Sequence, residues 1–204
     1  MNIPVVLLTG GKSSRFGSDK ASSLFAGRSL VEQVMASFPR GTNFIVVGPD
    51  FISGDHPIRF TQESPLGGGP VAALAAGLNF VENEYLALCA TDIPFAGKVI
   101  AELIRHLPIG KDALVPVDDT GQRQPLCALY RVAALRKALA GLGEVEGKSM
   151  RSLISLLDIE EIDLGDAIAS SLLDIDTPAD LQRVLRLTKS QVDNGEGISD
   201  ARLD

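Results

Sequence analysis

The sequence predicts an α/β fold in three layers, with helices on both faces of a mostly parallel central sheet. In the first half of the chain, short runs of Val, Leu and Ile alternate with segments whose apolar residues recur at helical spacing. This alternation is typical of parallel strands joined by helical crossovers. The apolar runs stop abruptly at glycine or polar residues, as buried strands do where they enter loops. Ligands are therefore expected beyond the carboxyl ends of the strands.

The predicted elements follow this alternation from the N-terminus. The run from Val5 to Leu8 stops at a glycine loop and is the first buried strand. Ser29 is a suitable N-cap for the first helix. Pro70 lies in the first turn of the second helix, where proline is favoured, and the last helix begins at Thr177 with a proline after it. The predicted strands are 5–8, 44–47, 58–62, 85–90, 113–117, 126–130, 159–162 and 172–175, and the predicted helices are 30–38, 71–81, 97–107, 132–142, 149–157 and 177–187.

Length and composition fit one domain with a sizeable core. The chain has 204 residues, of which 45% are hydrophobic, and it lacks Trp, so Val, Leu, Ile and Ala must build that core. Residues 1–187 are predicted to form this single domain. Residues 188–204 are polar, contain glycine and show little periodicity, which predicts a disordered tail.

Charge and cysteine content exclude several classes of function. A formal net charge of -7 argues against non-specific nucleic-acid binding, which needs clustered Lys and Arg. The best local cluster of cations is Lys12, Arg15 and Lys20. Cys89 and Cys127 lie in separate apolar runs without metal-binding spacing, so buried reduced thiols are expected. The start of the sequence lacks a signal-peptide pattern, and no segment approaches the roughly 20 apolar residues of a membrane span, so we expect a cytoplasmic protein without membrane attachment.

The loop from Thr9 to Lys20 is the first candidate site. It is not a Walker A motif, because Val6 stands where that motif needs its first glycine, and adjacent glycines do not fit a dinucleotide fingerprint. Consecutive glycines nevertheless let backbone N–H groups approach a phosphate closely. Arg15 and Lys20 supply cations on the same loop, and this combination predicts a site for a phosphorylated ligand.

Other polar residues are judged against this site. Asp92 follows the strand 85–90, so it reaches the same place if the two strands are neighbours. The Asp118-Asp119 pair is expected to be a solvated hairpin turn rather than a metal site. Arg123, Lys148 and Arg151 are more often surface cations than phosphate ligands, although each could meet a phosphorylated substrate.

Five blocks of the sequence carry a resemblance to one family. LLTGGKSSRFGSDKA resembles the signature L-A-G-G-x-S-x-R-M-G-x-D-K of sugar-nucleotide and cofactor nucleotidyltransferases. SPLGGGPVAAL, CATDIPF, QPLCALYR and DIDTPADL are similar, in the same order, to blocks of the molybdenum cofactor guanylyltransferase family. The resemblance spans nearly the whole chain except the tail. It implies the Rossmann-like, GT-A-like nucleotidyltransferase fold.

The resemblance also implies a reaction and its participants. Such an enzyme transfers GMP from GTP to the phosphate of molybdopterin, with Mg²⁺ as cofactor, and releases pyrophosphate. The expected partners are these two small molecules, together with transient contacts to proteins that deliver molybdopterin or accept the product. The implied catalytic residues are Arg15, Lys20 and Asp92; the implied nucleotide-binding residues are Leu8, Thr9, Gly10, Gly11, Lys20, Gly48, Glu63 and Asp92; and the implied metal ligands are Asp92 and Asp176.

Several positions depart from the family pattern. Thr9 replaces the usual Ala and adds bulk near the nucleotide, and Phe16 replaces the usual Met. Gly48 stands where some relatives have an Asn that touches the nucleotide. Glu63, expected near the guanine, replaces Asp of some members.

The acids at 174 and 176 leave the nucleotide open. Many guanylyltransferases have Asn at these positions, and the acidic version is also similar to cytidylyltransferases. Asp176 either adds a metal ligand or merely caps the helix at Thr177. The alternatives to a guanylyltransferase are therefore a nucleotidyltransferase of the same fold that uses CTP or another phosphorylated acceptor, and a non-catalytic nucleotide-binding accessory protein.

Overall fold

A computed structural model of the chain describes residues 3–10, 24–25, 28–48, 55–108, 110–165, 168 and 170–172. Seven strands form the central sheet in the order β5-β4-β1-β6-β8-β7-β9, and β2 and β3 form a separate antiparallel pair. The strands are β1 Val5–Leu8, β2 Leu24–Phe25, β3 Arg28–Ser29, β4 Phe44–Val47, β5 Ile58–Thr61, β6 Tyr85–Ala90, β7 Ala113–Val117, β8 Cys127–Arg131 and β9 Ile159–Asp163. The helices are α1 Leu30–Ala36, α2 Pro70–Leu78, α3 Ala96–Ile104, α4 Val132–Leu142 and α5 Met150–Ile154, and a short 3₁₀ helix covers Ser170–Leu172.

Parallel pairing dominates the sheet, as predicted. β5, β4, β1 and β6 are mutually parallel neighbours, and β9 is parallel to β7. β8 is antiparallel to both β6 and β7, between which it lies. The prediction of a three-layer α/β fold with a mostly parallel sheet is confirmed. In this sheet β8 runs in the direction opposite to the other six strands.

Two hydrophobic cores cover the two faces of the sheet. Alternate residues of each strand point to opposite faces, so Val5 and Leu7 join one core while Val6 and Leu8 join the other. The first core includes the apolar faces of α1 and α3. The second includes those of α2, α4 and α5. This arrangement is the predicted layer of helices on each side, and burying both faces explains the continuous apolar runs of the strands.

The helix starts follow the predicted local signals. Ser29 is the N-cap of α1 and forms a capping box with Glu32: the Glu32 N–H donates to Ser29 Oγ (3.2 Å), and the Ser29 N–H donates to Glu32 Oε2 (2.8 Å). Pro70 occupies the first turn of α2. Ser149, predicted to lie inside the helix 149–157, is instead the N-cap of α5 and accepts from the Ser152 N–H at 3.2 Å.

Some predicted boundaries were wrong. α3 stops at Ile104 rather than 107, because the N–H groups of residues 105–107 bond to carbonyls three residues back as the chain approaches Pro108. Leu172 belongs to a 3₁₀ helix and not to the predicted strand 172–175. The rest of that strand, the helix 177–187 and the tail 188–204 lie outside the described residues. No helix in the described part of the chain is both long and apolar enough to cross a membrane.

Candidate functional site

Four parallel strands end at the same level on one edge of the sheet. Leu8 of β1 is in register with Val47 of β4 and with Ala90 of β6, and Val47 is in register with Thr61 of β5. The residues that follow these strand ends therefore lie along one edge. We call this set the strand-end edge: Leu8, Thr9, Gly10, Gly48, Glu63 and Asp92. The register brings together every predicted nucleotide-binding residue that the structure describes.

Thr9 and Gly48 occupy the centre of the strand-end edge and fit one another. The Thr9 hydroxyl and the Thr9 N–H both donate to the Val47 carbonyl at 3.1 Å, and Thr9 is buried. Gly48 has a φ of +146°, and a Cβ at this position would collide with the Thr9 hydroxyl. Two departures from the family pattern therefore account for each other, since the Thr9 side chain fills space that only a glycine at 48 leaves open.

Glu63 lies against the first glycine of the loop. Its Oε1 accepts from the Gly67 N–H at 3.0 Å, and an ideal Cβ on Gly10 would lie 3.7 Å from the same oxygen. The hydrogen bond ties the Glu63 carboxylate to the glycine stretch 67–69 that leads into α2. Glu63 therefore borders the space next to Gly10 with its side chain held in place.

Asp92 lies two residues beyond the end of β6 and is partly buried. It lines a cleft of about 380 Å³ beside the strand-end edge. We call this the side cleft; residues 69–70, 92–93, 124–126 and 147–150 line it. Its volume is within the range of small-molecule sites, roughly 300–1,000 Å³. Asp92 is thus shared between the strand-end edge and the side cleft.

The side cleft is assembled from segments far apart in sequence. β8 runs antiparallel to β6, and Cys127 pairs with Cys89, so the residues just before β8 reach the edge at which β6 ends. The Ala90 N–H donates to the Leu126 carbonyl at 3.0 Å. The segment before α5 is fixed by a second bond, from the Gly147 N–H to the Gly68 carbonyl at 2.8 Å.

The three candidate cations outside the glycine loop have different positions. Lys148 is exposed and lines the side cleft, and within the described residues its side chain makes no ion pair. Arg123 is paired with Glu161 of β9, with both its Nε and its Nη2 within 2.6 Å of Glu161 Oε1. Arg151 lies in α5 and is not among the residues that line the cleft. Lys148 is therefore the cation of this group that lines the same cleft as Asp92.

The Asp118-Asp119 turn is a hairpin turn, as the sequence indicated. Asp118 accepts hydrogen bonds within its own loop, and Asp119 is exposed. Gln124, at the end of this loop, lines the side cleft and was not identified from the sequence. Its signal was its place immediately before the proline of the QPLCALYR block.

Several predicted site residues lie outside the described part of the chain. These are Gly11, Arg15, Lys20 and Asp176, together with Lys12, Phe16 and Asp174. Their roles stay predictions. Within the described residues, no group of three or more His, Cys, Asp or Glu side chains could hold a metal ion. Cys89 and Cys127 are buried free thiols, as predicted.

Comparison with known proteins gives the family. Residues 5–161 match the family model of the MobA-like NTP transferase domain. A probable molybdenum cofactor guanylyltransferase of Chloroflexus aggregans is 30% identical over 194 residues, covering 88% of this chain and 91% of that protein. A protein of the same description from Bacillus cereus is 28% identical over 174 residues, covering 81% of this chain and 86% of that protein.

A solved structure agrees with the fold. The crystal structure of molybdopterin-guanine dinucleotide biosynthesis protein A from Archaeoglobus fulgidus is similar with a TM-score of 0.71 at 23% identity, covering 92% of this chain and all of that one. At this identity the likeness shows the fold alone. The family model, however, matches most of the chain, including β1, β4, β5 and β6, whose ends form the strand-end edge. The chain belongs to the MobA-like NTP transferase family of nucleotidyltransferases.

Proposed function

We propose that this protein transfers GMP from GTP to the terminal phosphate of molybdopterin, as the descriptions of its relatives suggest. The observation that supports this most directly is the strand-end edge, where Gly10, Glu63 and Asp92 follow strands of matched register. A nucleoside triphosphate would lie along this edge. The side cleft, which shares Asp92, adjoins it and offers room for a second substrate.

The proposed reaction is a displacement at phosphorus. An oxygen of the molybdopterin phosphate attacks the α-phosphorus of GTP, and the bond from that phosphorus to the α,β-bridging oxygen breaks. Pyrophosphate leaves with the bonding electrons, and the product is a guanine dinucleotide. Such a step requires in-line positioning and neutralisation of charge more than a covalent nucleophile on the protein.

Each end of the nucleotide has a proposed binding group. The backbone of residues 8–10 would contact the nucleotide, as the family resemblance implies. Glu63 would accept from the guanine N1–H and 2-amino groups through its carboxylate, which favours guanine over adenine. Gly11, Arg15 and Lys20 would hold the triphosphate. Arg binds phosphate oxygens in pairs and Lys acts as a point charge.

Mg²⁺ is the proposed cofactor, and Asp92 is its proposed ligand. Mg²⁺ sites in proteins commonly use one or two carboxylates plus substrate phosphates, so a partly buried Asp at the end of a strand suits the ion. Asp176 is proposed as a second ligand. When bound, the ion would offset the negative charge that develops on the phosphates. A cytoplasmic location and transient contacts with molybdopterin-delivering or product-accepting proteins belong to the same proposal.

Lys148 is the proposed anchor for the acceptor phosphate. It lines the side cleft together with Asp92, and its exposed side chain has no ion-pair partner within the described residues. An ammonium here would attract a phosphate dianion entering the cleft. It would bring that phosphate towards the α-phosphorus of a nucleotide on the strand-end edge.

Pyrophosphate release from GTP, CTP, ATP and UTP, with Mg²⁺ and molybdopterin present, tests the proposal. Release with GTP alone would support the guanylyltransferase and Glu63 as the residue that reads the base. Release with CTP alone would reassign the protein to a cytidylyltransferase with the same fold. Absence of release with every nucleotide, from folded protein and an acceptor active with a known guanylyltransferase, would refute the proposed reaction.

A further inference from the structure

We propose that Gln124 recognises the acceptor substrate through its side-chain carbonyl oxygen, and that Asp118 is the positioning residue that fixes this amide. The inference rests on the proposed function, because it assigns a role in the side cleft during acceptor binding. Gln124 lies outside the nucleotide-binding loop, and its carbonyl oxygen would select an acceptor that presents an N–H donor.

The amide of Gln124 has a defined orientation. Its Nε2 donates to Asp118 Oδ2 at 2.7 Å. An ionised carboxylate can only accept hydrogen bonds, so the amide nitrogen must face Asp118 and the carbonyl oxygen must face away. Within the described residues no donor contacts that oxygen. Gln124 lines the side cleft, so the unused carbonyl oxygen is the group that its side chain can offer to a ligand.

Three hydrogen bonds from its own loop orient the Asp118 carboxylate. Its Oδ1 accepts from the Thr120 hydroxyl at 2.6 Å, from the Thr120 N–H at 2.9 Å and from the Gln122 N–H at 2.9 Å. The hydrogen bond from the Thr120 hydroxyl, with those from Gln122, Gln124 and the Thr120 N–H, holds the pKa of Asp118 below its usual range, against an opposing effect of burial. Asp118 is therefore charged at any pH near neutrality, and the polarity of the amide it holds does not change.

The backbone around Gln124 is equally fixed. The Gln124 N–H donates to the Pro116 carbonyl at 2.8 Å, and the buried Tyr130 hydroxyl donates to the Pro125 carbonyl at 2.7 Å. Burial raises the pKa of Tyr130, which keeps its hydroxyl protonated as a donor. Through Leu126 the segment also bonds to Ala90 at the end of β6. Gln124 is thus held in a segment that is bonded to the end of β6, and it lines the same cleft as Asp92.

The oriented Gln124 amide would recognise a part of the acceptor substrate other than its phosphate. An oriented carbonyl oxygen accepts from an amide or amine N–H of the acceptor and repels a carbonyl or carboxylate in the same place. A site built to pair a substrate N–H discriminates against analogues that lack it, because its acceptor is then left unpaired. A pterin carries such N–H groups on its ring.

Steady-state kinetics with saturating GTP and varied molybdopterin test the inference. Gln124→Met keeps the length of the side chain and removes its carbonyl oxygen. Asp118→Asn replaces the acceptor Oδ2 by an N–H donor, so the Gln124 amide turns over and presents its nitrogen to the cleft. Each is expected to raise the KM for molybdopterin about tenfold, the loss for one hydrogen bond left unpaired, with the KM for GTP unchanged. Asp118→Asn should add little to Gln124→Met, because both remove the same contact.

Thr120→Ala is the matched control. It removes the hydroxyl bond to Asp118 Oδ1, but the Thr120 and Gln122 N–H groups still donate to that oxygen and Gln124 Nε2 still donates to Oδ2. The KM for molybdopterin should therefore stay near the wild-type value. Thermal unfolding of each variant checks that the loop is intact. An unchanged KM in Gln124→Met overturns the inference. An equal rise in Thr120→Ala overturns the role of Asp118, because loop integrity would then explain the effect. Wild-type protein without turnover overturns the proposed function and this inference together.

Discussion

The strand-end edge and the side cleft are built in different ways. The edge consists of residues at and just beyond the ends of parallel neighbours, so the register of β5, β4, β1 and β6 places them along one line. The side cleft is formed by the end of a hairpin loop, the segment after β6, the segment before α5 and the start of α2. A single backbone hydrogen bond, from the Gly147 N–H to the Gly68 carbonyl, joins the last two of these.

This difference matches the tasks proposed for the two regions. A triphosphate presents the same charges whatever the acceptor, and backbone groups at strand ends suit it. An acceptor differs from one enzyme to another, and loops on a rigid sheet can vary without disturbing the strands. We therefore expect changes at the edge to affect every reaction of the protein, and changes in the cleft to affect the choice and binding of the acceptor.

The largest effect is expected from Asp92, which belongs to both regions. Asp92→Asn removes the carboxylate charge proposed to hold Mg²⁺ but preserves side-chain size. Turnover should fall by about 10³-fold, since the loss of metal-assisted charge stabilisation costs several kcal/mol. GTP binding, measured by calorimetry, should weaken only modestly.

Asp119→Asn is the control for Asp92→Asn, because Asp119 is an exposed carboxylate on the hairpin turn. It should leave turnover near the wild-type value. Full activity of Asp92→Asn would show that the metal assignment is wrong.

The tight fit of Thr9 and Gly48 tests how closely the edge is packed. Gly48→Ala introduces a Cβ against the Thr9 hydroxyl and a side chain at a φ of +146°. We expect a loss of about 3 kcal/mol in the free energy of unfolding, from overpacking and backbone strain together. Adding Thr9→Ala should recover about 1–2 kcal/mol of it, since the clash is removed and the strain remains.

Gly110→Ala is the matched control for Gly48→Ala in chemical denaturation. A Cβ at Gly110 would meet nothing within 4 Å, so stability should change by less than about 0.5 kcal/mol. Equal destabilisation of Gly48→Ala with and without Thr9→Ala would mean that the two residues are not coupled.

The sequence predicted the edge well because its signals are local. Each apolar run predicts one strand, and the residues that follow the run are those that lie at the carboxyl end of that strand. Cys127 of β8 lies in register with Cys89 of β6 because β8 is next to β6 in the sheet, and no local sequence pattern shows which strands are neighbours. The QPLCALYR block marks Gln124 but does not show where it lies, since only the insertion of β8 between β6 and β7 brings it into the same cleft as Asp92.

The relation between Thr9 and Gly48 was hidden for a similar reason. The sequence shows both as separate departures from a pattern, one adding bulk and one removing a side chain. Their compensation appears only when β1 and β4 are placed side by side. Lys148 was judged a surface cation because an exposed Lys gives no sign of the cleft next to it.

Lys148 gives the smallest expected effect, and the one most specific to the cleft. Lys148→Met keeps the aliphatic stem and removes the charge, so the KM for molybdopterin should rise about tenfold, as for the loss of one charge-assisted contact at a partly solvated site. The KM for GTP should not change, and the rise should shrink as salt increases, because salt screens an exposed ammonium. Arg151→Ala removes a nearby cation of α5 that does not line the cleft, and it should leave both constants unchanged. If Lys148→Met instead raised the KM for GTP, Lys148 would belong to the nucleotide site, and the division between the two regions would have to be moved.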